Sequence, residues 1–196
     1  WTSIGDSAFS QCSSLSVSFE SGSQLWTIGT EAFSHSGLSG SITLPASLTS
    51  IGDSAFSYCS SSFSVSFESG SQLTTIGYFA FASSGLSGGI TLPTSLTSIG
   101  DHAFLFCSSL TSISFESGSQ LTTIGDDAFY GSGLSGSITL PASLTSIGEY
   151  AFEDCYDLTS VSFESGSQLA TIGDSAFRDS GLSGGITLPA SLTSIG

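Results

Sequence analysis

The sequence has almost no positive charge. It contains one basic residue, Arg178, and no lysine, against 16 acidic residues, so the formal net charge is -15. Proteins that bind nucleic acid hold phosphate groups with lysine and arginine, and anionic membranes attract the same residues. We therefore expect neither nucleic acid nor an anionic membrane surface as a partner.

Other residue types are equally scarce. Asparagine is absent, which excludes N-linked glycosylation, and no apolar run reaches the 18 or more residues of a membrane span, which predicts no membrane insertion in these residues. Charged residues make up only 9% of the chain, against about a quarter in ordinary soluble domains. Solubility must then come from serine and threonine hydroxyls and from acidic repulsion. O-glycosylation of those hydroxyls stays open.

An internal repeat dominates what is present. The dipeptide Ile-Gly recurs at intervals of 23, 24 or 25 residues, and after the first interval two unlike units alternate with a combined period of 48. The glycines of these dipeptides are Gly5, Gly29, Gly52, Gly77, Gly100, Gly125, Gly148, Gly173 and Gly196. Periods of this length are typical of solenoids, in which neighbouring coils complete each other's core. The sequence predicts one β-rich solenoid of eight coils over residues 1–196.

The side chains of one unit indicate how each coil is built. Ile138 and Leu140 are separated by one polar residue, which predicts a strand with one buried face. Leu144 and Ile147 are three residues apart, which favours a tighter second side of the coil. We predict a core built around a column of phenylalanines. Its members are Phe9, Phe33, Phe56, Phe81, Phe104, Phe129, Phe152 and Phe177.

An acidic residue follows Ile-Gly in each of the last four units, at Asp101, Asp126, Glu149 and Asp174. This pattern predicts a turn and then a short helical turn, whose free backbone amides would bond to the acidic side chain.

The motif Leu-Pro-x-x-Leu-x-x-Ile-Gly-x-x-Ala-Phe-x-x-Cys, seen in residues 92–107, resembles the BspA-like class of leucine-rich repeats. The resemblance covers the whole chain. It implies parallel strands on the concave side of a right-handed superhelix, and a role in adhesion and protein binding at microbial cell surfaces. The sequence departs from the motif where alternate units carry serine in place of cysteine, and where the loop Glu-Ser-Gly-Ser-Gln replaces the usual proline-containing connection.

The residues that could carry chemistry do not converge. Cys12, Cys59, Cys107 and Cys155 recur once every two coils, about 10 Å apart at the usual strand spacing, which is too far for disulfides or for a shared metal. His35 and His102 lie three coils apart, and neither is placed for nucleophilic catalysis. We expect no enzyme activity, no cofactor and no metal site.

The units differ from one another mainly at positions that flank Ala-Phe. There the chain carries a run of aromatic and other large side chains on consecutive coils, which we expect to form a contact surface. Its members are Tyr58, Tyr78, Phe79, His102, Leu105, Phe106, Tyr130, Tyr150 and Tyr156.

Two functions agree with this pattern. The first is an extracellular or cell-surface protein for adhesion, which binds a protein or a glycan. The second is a structural subunit of a fibre or surface layer, built by end-to-end stacking of copies, because the units are nearly identical and neither end carries a polar capping unit. For the same reason we expect the sequence to be a window of a longer array.

Overall fold

The computed structural model describes residues 2–196 as a parallel β-solenoid of eight coils, without a helix in that range. The predicted fold class is therefore confirmed. The strands are β1 (Ser3–Ile4), β2 (Thr27–Ile28), β3 (Gly40–Leu44), β4 (Ser50–Ile51), β5 (Phe63–Phe67), β6 (Thr75–Ile76), β7 (Gly88–Leu92), β8 (Ser98–Ile99), β9 (Leu110–Phe115), β10 (Thr123–Ile124), β11 (Gly136–Leu140), β12 (Ser146–Ile147), β13 (Leu158–Phe163), β14 (Thr171–Ile172) and β15 (Ser194–Ile195). Over residues 2–196 no helix offers the length and apolar character that a bilayer crossing needs.

One sheet runs through every coil. It contains the two-residue strands in the order β1-β2-β4-β6-β8-β10-β12-β14-β15, and all of its neighbours are parallel. The register places isoleucine beside isoleucine, as where Ile124 pairs with Ile99 on one side and Ile147 on the other. The Ile-Gly repeat therefore marks the continuous side of the solenoid.

The longer strands pair only in couples: β3 with β5, β7 with β9, and β11 with β13. Each couple joins one short unit to the long unit that follows it, in agreement with the 48-residue period. In β11 the side chains of Ile138 and Leu140 are buried and Thr139 between them is exposed, which confirms the predicted one-sided strand.

The phenylalanine column forms a continuous stack through the core. Adjacent rings have centroids 4.9 to 5.3 Å apart and planes within 11° of parallel, from Phe9 to Phe177. The central members Phe81, Phe104, Phe129 and Phe152 are fully buried. The stacking of one ring per coil confirms the predicted column.

The segment after Ile-Gly differs from the predicted helical turn. Its amides alternate between two partners: Ala103 N–H donates back to Gly100 at 3.3 Å, whereas Phe104 N–H donates to Ala128 of the next coil at 2.7 Å. His102 and Phe106 adopt left-handed conformations, with φ of 57° and 54°. A right-handed helix cannot pass through such residues, so the segment is a run of successive turns.

The acidic residue at the start of this segment does accept a backbone amide, but from the next coil. Asp101 Oδ1 accepts the Asp126 amide at 3.0 Å, and Asp126 Oδ1 accepts the Glu149 amide at 2.8 Å. The expected hydrogen bond is present, and its role is to join coils rather than to cap a helix.

The cysteines fill a buried column in which they alternate with serines. All four are free thiols, and Cys59, Cys107 and Cys155 are buried. Cys107 Sγ donates to the Phe81 carbonyl at 3.0 Å and lies 3.8 Å from Ser84 Oγ in the preceding coil. Burial raises the pKa of the Cys107 thiol to about 12, and the hydrogen bond with Ser84 offsets only part of this rise.

Hydrogen bonds from polar side chains connect the short units to the long units before and after them. Glu116 Oε2 accepts the amide and the hydroxyl of Thr94 in the preceding short unit, each at 3.0 Å. Ser95 Oγ of that short unit donates to the carbonyls of Ser71 and Leu73 in the long unit before it, at 2.9 and 2.7 Å. Glu68 and Glu164 accept the amides of Ala46 and Ala142 in the same way.

Threonine hydroxyls form a further ladder beside the continuous sheet. Thr97 Oγ1 donates to the Thr74 carbonyl at 2.9 Å, and Thr122 Oγ1 donates to the Thr97 carbonyl at 3.0 Å. The repeated hydroxyls of this column are therefore hydrogen-bonded between coils.

Candidate functional site

The run of turns after Ile-Gly carries the residues that vary between coils. In each coil two residues, four apart in sequence, adopt a left-handed conformation, and Tyr58, Phe79, His102, Phe106 and Tyr150 occupy such positions with φ between 53° and 57°. The nine residues selected from the sequence all lie on or beside these turns. We call them the aromatic ridge: Tyr58, Tyr78, Phe79, His102, Leu105, Phe106, Tyr130, Tyr150 and Tyr156.

Five members of the aromatic ridge are exposed. Tyr156 has 67% of its surface accessible, Tyr58 and Phe106 have 51%, Tyr78 has 46% and Tyr150 has 36%. The other four, Phe79, His102, Leu105 and Tyr130, are half-buried and support their neighbours. Several large apolar side chains thus face solvent on the same side of a molecule whose remaining surface is mostly hydroxyl-bearing.

Phe79 and His102 stack with ring centroids 4.5 Å apart, and Tyr78 meets Phe79 edge-on at 4.2 Å. Asp127 lies beside His102, with 3.5 Å between Oδ2 and Nδ1. Burial raises the pKa of the Asp127 carboxyl, and the charge of His102 opposes this rise. The structure therefore brings these predicted residues together into one packed group.

A second group lies one coil further along the solenoid. Phe106 and Tyr130 meet edge-on with centroids 5.3 Å apart. The neighbouring Asp154 carboxylate raises the pKa of the Tyr130 and Tyr156 phenols, with smaller contributions from desolvation and other negative charges. One carboxylate thus acts on two tyrosines of the aromatic ridge.

The sequence does not predict three further features, two on the surface and one buried. His35 stacks on Tyr58 at 4.7 Å, and it occupies the equivalent position one coil earlier, which is the signal that could have found it. Trp26 is 59% exposed, but it lies in the threonine ladder on another side. Glu153 is only 2% exposed and pairs with Arg178 at 2.6 Å.

The Glu153–Arg178 pair leaves one buried oxygen without a partner. Glu153 Oε1 contacts Arg178, whereas Glu153 Oε2 has no hydrogen-bond partner among the described residues. The guanidinium group of Arg178 also lies 3.4 Å from Asp179. The equivalent residues in the three preceding coils are Tyr130, Leu105 and Ala82. None of them is charged, so the repeat does not predict a charge at Glu153.

Candidate catalytic and metal-binding arrangements are sparse. Ser34 Oγ lies 2.8 Å from His35 Nδ1, but this serine is 3% exposed and also bonds to Ser57 Oγ at 3.0 Å. Within residues 2–196 no three His, Cys, Asp or Glu side chains are grouped so that they could hold a metal ion. The aromatic ridge therefore offers exposed aromatic rings next to carboxylate groups.

Comparison with known families agrees with this geometry. The model of the BspA-type leucine-rich repeat region matches residues 1–88 and 74–196, with six copies. The chain belongs to the BspA-type leucine-rich repeat family. No curated protein sequence matches it.

Solved structures with the same fold include two bacterial repeat proteins at 22–24% identity. The pneumococcal vaccine antigen PcpA superposes with a TM-score of 0.65 at 24% identity over 97% of this chain and 57% of that one. The leucine-rich repeat protein of T. pallidum gives a TM-score of 0.60 at 22% identity over 90% and 80% of the two chains. At these identities the likeness establishes the fold.

A third structure is a leucine-rich cell surface protein from Faecalibacterium prausnitzii A2-165. It has a TM-score of 0.55 and 25% identity, over 80% of this chain and 48% of that one. The present chain thus spans about half the length of this protein and of PcpA.

Proposed function

We propose that the chain is a non-enzymatic, cell-surface repeat segment that binds a protein or a glycan through the aromatic ridge. Membership of the BspA-type family supports this assignment, as does the similarity to a structure described as a cell surface protein. The repeating columns of phenylalanine, cysteine and threonine build the scaffold, and the aromatic ridge supplies the contact surface.

The observation that carries the proposal is the exposure of Tyr58, Tyr78, Phe106, Tyr150 and Tyr156. Tyrosine and other aromatic residues are enriched at binding hot spots, because a rigid ring gives a large contact area for little loss of conformational entropy. Exposed rings also reduce the solubility of a free protein, so a surface that keeps five of them together indicates a partner.

The test compares the wild-type chain with a triple variant, Tyr58→Ser, Phe106→Ser and Tyr156→Ser. Serine occurs at the equivalent positions in other coils, as at Ser83 and Ser108, so the scaffold accepts it. The matched control is Trp26→Thr, which removes an exposed ring from another side and restores the threonine found there in other coils. Circular dichroism verifies that each variant is folded.

Binding is measured by surface plasmon resonance against a panel of purified extracellular proteins and mucin glycans, before and after enzymatic deglycosylation. We expect at least one member of the panel to bind wild type and Trp26→Thr alike and to bind the triple variant about tenfold more weakly or worse. Loss of the signal after deglycosylation assigns the contact to glycan. Equal binding by the triple variant, or no binding by the wild type, overturns the proposal. Large assemblies detected by light scattering would then favour the alternative function, a structural subunit of a fibre.

A further inference from the structure

The charge around the aromatic ridge restricts the kind of partner that it can accept. Asp127, Asp154 and Asp179 lie on its turns, and the molecule as a whole carries a net charge of -15. The only basic side chain, Arg178, is already engaged by Glu153 and Asp179. The carboxylate of Asp154 is therefore not neutralised by any cation in the part of the chain that the structure describes.

Asp154 lies at the most exposed end of the aromatic ridge. The Gly131 amide donates to the Glu153 carbonyl at 2.8 Å, which places the turns of Tyr130 and Asp154 side by side. The nearby Asp154 carboxylate raises the pKa of the Tyr130 and Tyr156 phenols, and the charge of Glu153 contributes to both rises. Tyr156 is the most exposed aromatic residue of the ridge. Close by, the unpartnered oxygen of Glu153 adds a buried negative charge that one arginine does not fully satisfy.

We propose that this end of the aromatic ridge binds a cationic protein segment, with Asp154, Tyr130 and Tyr156 receiving an arginine side chain. This inference rests on the proposed function and specifies its partner. An arginine can donate to the carboxylate while its guanidinium plane stacks on a tyrosine ring, and each contact strengthens when water is excluded. The surrounding acidic residues repel an acidic partner, so they also provide selectivity.

A general attraction between any basic peptide and this acidic chain must be separated from a specific contact. The probe is a fluorescent peptide with three arginines spaced by Gly-Ser, measured by anisotropy at about 150 mM salt, where long-range attraction is screened. The same peptide with citrulline in place of arginine keeps the size and planar shape of the side chain but removes the charge and replaces one NH2 donor group with a carbonyl oxygen.

The variants are Asp154→Ser, which introduces the residue that one other coil carries at this position as Ser83, and Tyr156→Ser, which introduces the residue of the other long units, as at Ser108. Glu20→Gln is the charge control, because Glu20 is exposed on the loop side of the first coil, away from the aromatic ridge. Trp26→Thr is the ring control. We expect each ridge variant to weaken binding of the arginine peptide about five- to tenfold, and each control to change it less than twofold.

The outcomes are separable. Equal weakening by Glu20→Gln and Asp154→Ser, equal binding of the citrulline peptide, or no binding up to about 1 mM peptide would each overturn the inference. If the triple variant Tyr58→Ser, Phe106→Ser and Tyr156→Ser nevertheless binds the panel member more weakly than wild type does, the proposed function stands and only the cationic specificity fails. If the panel shows no dependence on the ridge, the proposed function fails whatever the peptide does.

Discussion

Gly100 lies directly against Gly77 of the preceding coil. A Cβ atom added at Gly100 would stand 2.8 Å from the carbonyl carbon of Gly77 and 2.9 Å from the Ile76 oxygen, closer than such atoms approach one another. The glycine of the Ile-Gly repeat is therefore required because the backbones of adjacent coils touch there.

This contact predicts that Gly100→Ala destabilises the chain by about 1–3 kcal/mol, the usual cost of overpacking. The measurement is urea denaturation followed by circular dichroism. Gly5→Ala is the matched control, because Gly5 occupies the same column but has nothing within 4 Å of its added Cβ. Equal loss of stability in both variants would mean that backbone flexibility, not the contact, explains the glycine.

The phenylalanine stack predicts a large difference between two residues that are two positions apart. Phe104→Ala removes a fully buried ring that stacks on Phe81 and Phe129, and should cost about 3–5 kcal/mol of unfolding free energy. Phe106→Ala removes a half-exposed ring and should cost about 1 kcal/mol or less. Chemical denaturation of both variants measures the difference, and similar midpoints would contradict the stacked core.

The buried thiols predict a loss of stability in alkaline solution. The pKa of Cys107 is about 12 in the folded chain, whereas an unfolded thiol titrates near about 8.5. Below the unfolded value both states are protonated and the stabilising contribution is complete. As pH rises from about 8.5 towards 12, the unfolded state loses its proton first, so stability falls by about 1.4 kcal/mol per pH unit for this thiol.

Cys107→Ser tests this effect, since serine fills the same column in alternate coils at Ser84 and Ser132. Denaturation under reducing conditions at pH 7, 9 and 10 should show wild type losing about 1 kcal/mol more than the variant between pH 9 and 10. Tyr130, whose pKa is also raised, contributes equally to both proteins. Parallel pH profiles would show that Cys107 titrates as an exposed thiol.

Most of the scaffold was predictable from the sequence because stacking forces like residues into like positions. The spacing of Ile-Gly, the phenylalanine column and the alternation of Cys107 with Ser84 and Ser132 all follow from one coil repeating on the next. A periodic sequence therefore reports directly on a periodic contact, and the structure confirms each of these three columns.

What the sequence could not reveal depends on conformation or on single substitutions. Left-handed backbone is expected at glycine or asparagine, but here it falls on Tyr58, His102 and Phe106, so the sequence predicts a helical turn where the structure has a run of turns. The Glu153–Arg178 pair arises once, from two neighbouring coils that depart from the repeat together. The sequence predicts a contact surface at the aromatic ridge, but which of its residues are exposed and which are half-buried depends on those turns and required the structure.

The fastening of each short unit between two long ones limits how the gene can change length. Recombination between repeats could delete residues 101–148 and place the next long unit, with Glu164, behind Thr94 in the role of Glu116. Deletion of one long unit would bring two short units together and leave a Leu-Pro turn without the glutamate that bonds to it. Deletion of one short unit would bring two long units together and leave a glutamate without the turn that it bonds to. Arrays of this type should therefore grow and shrink by even numbers of coils.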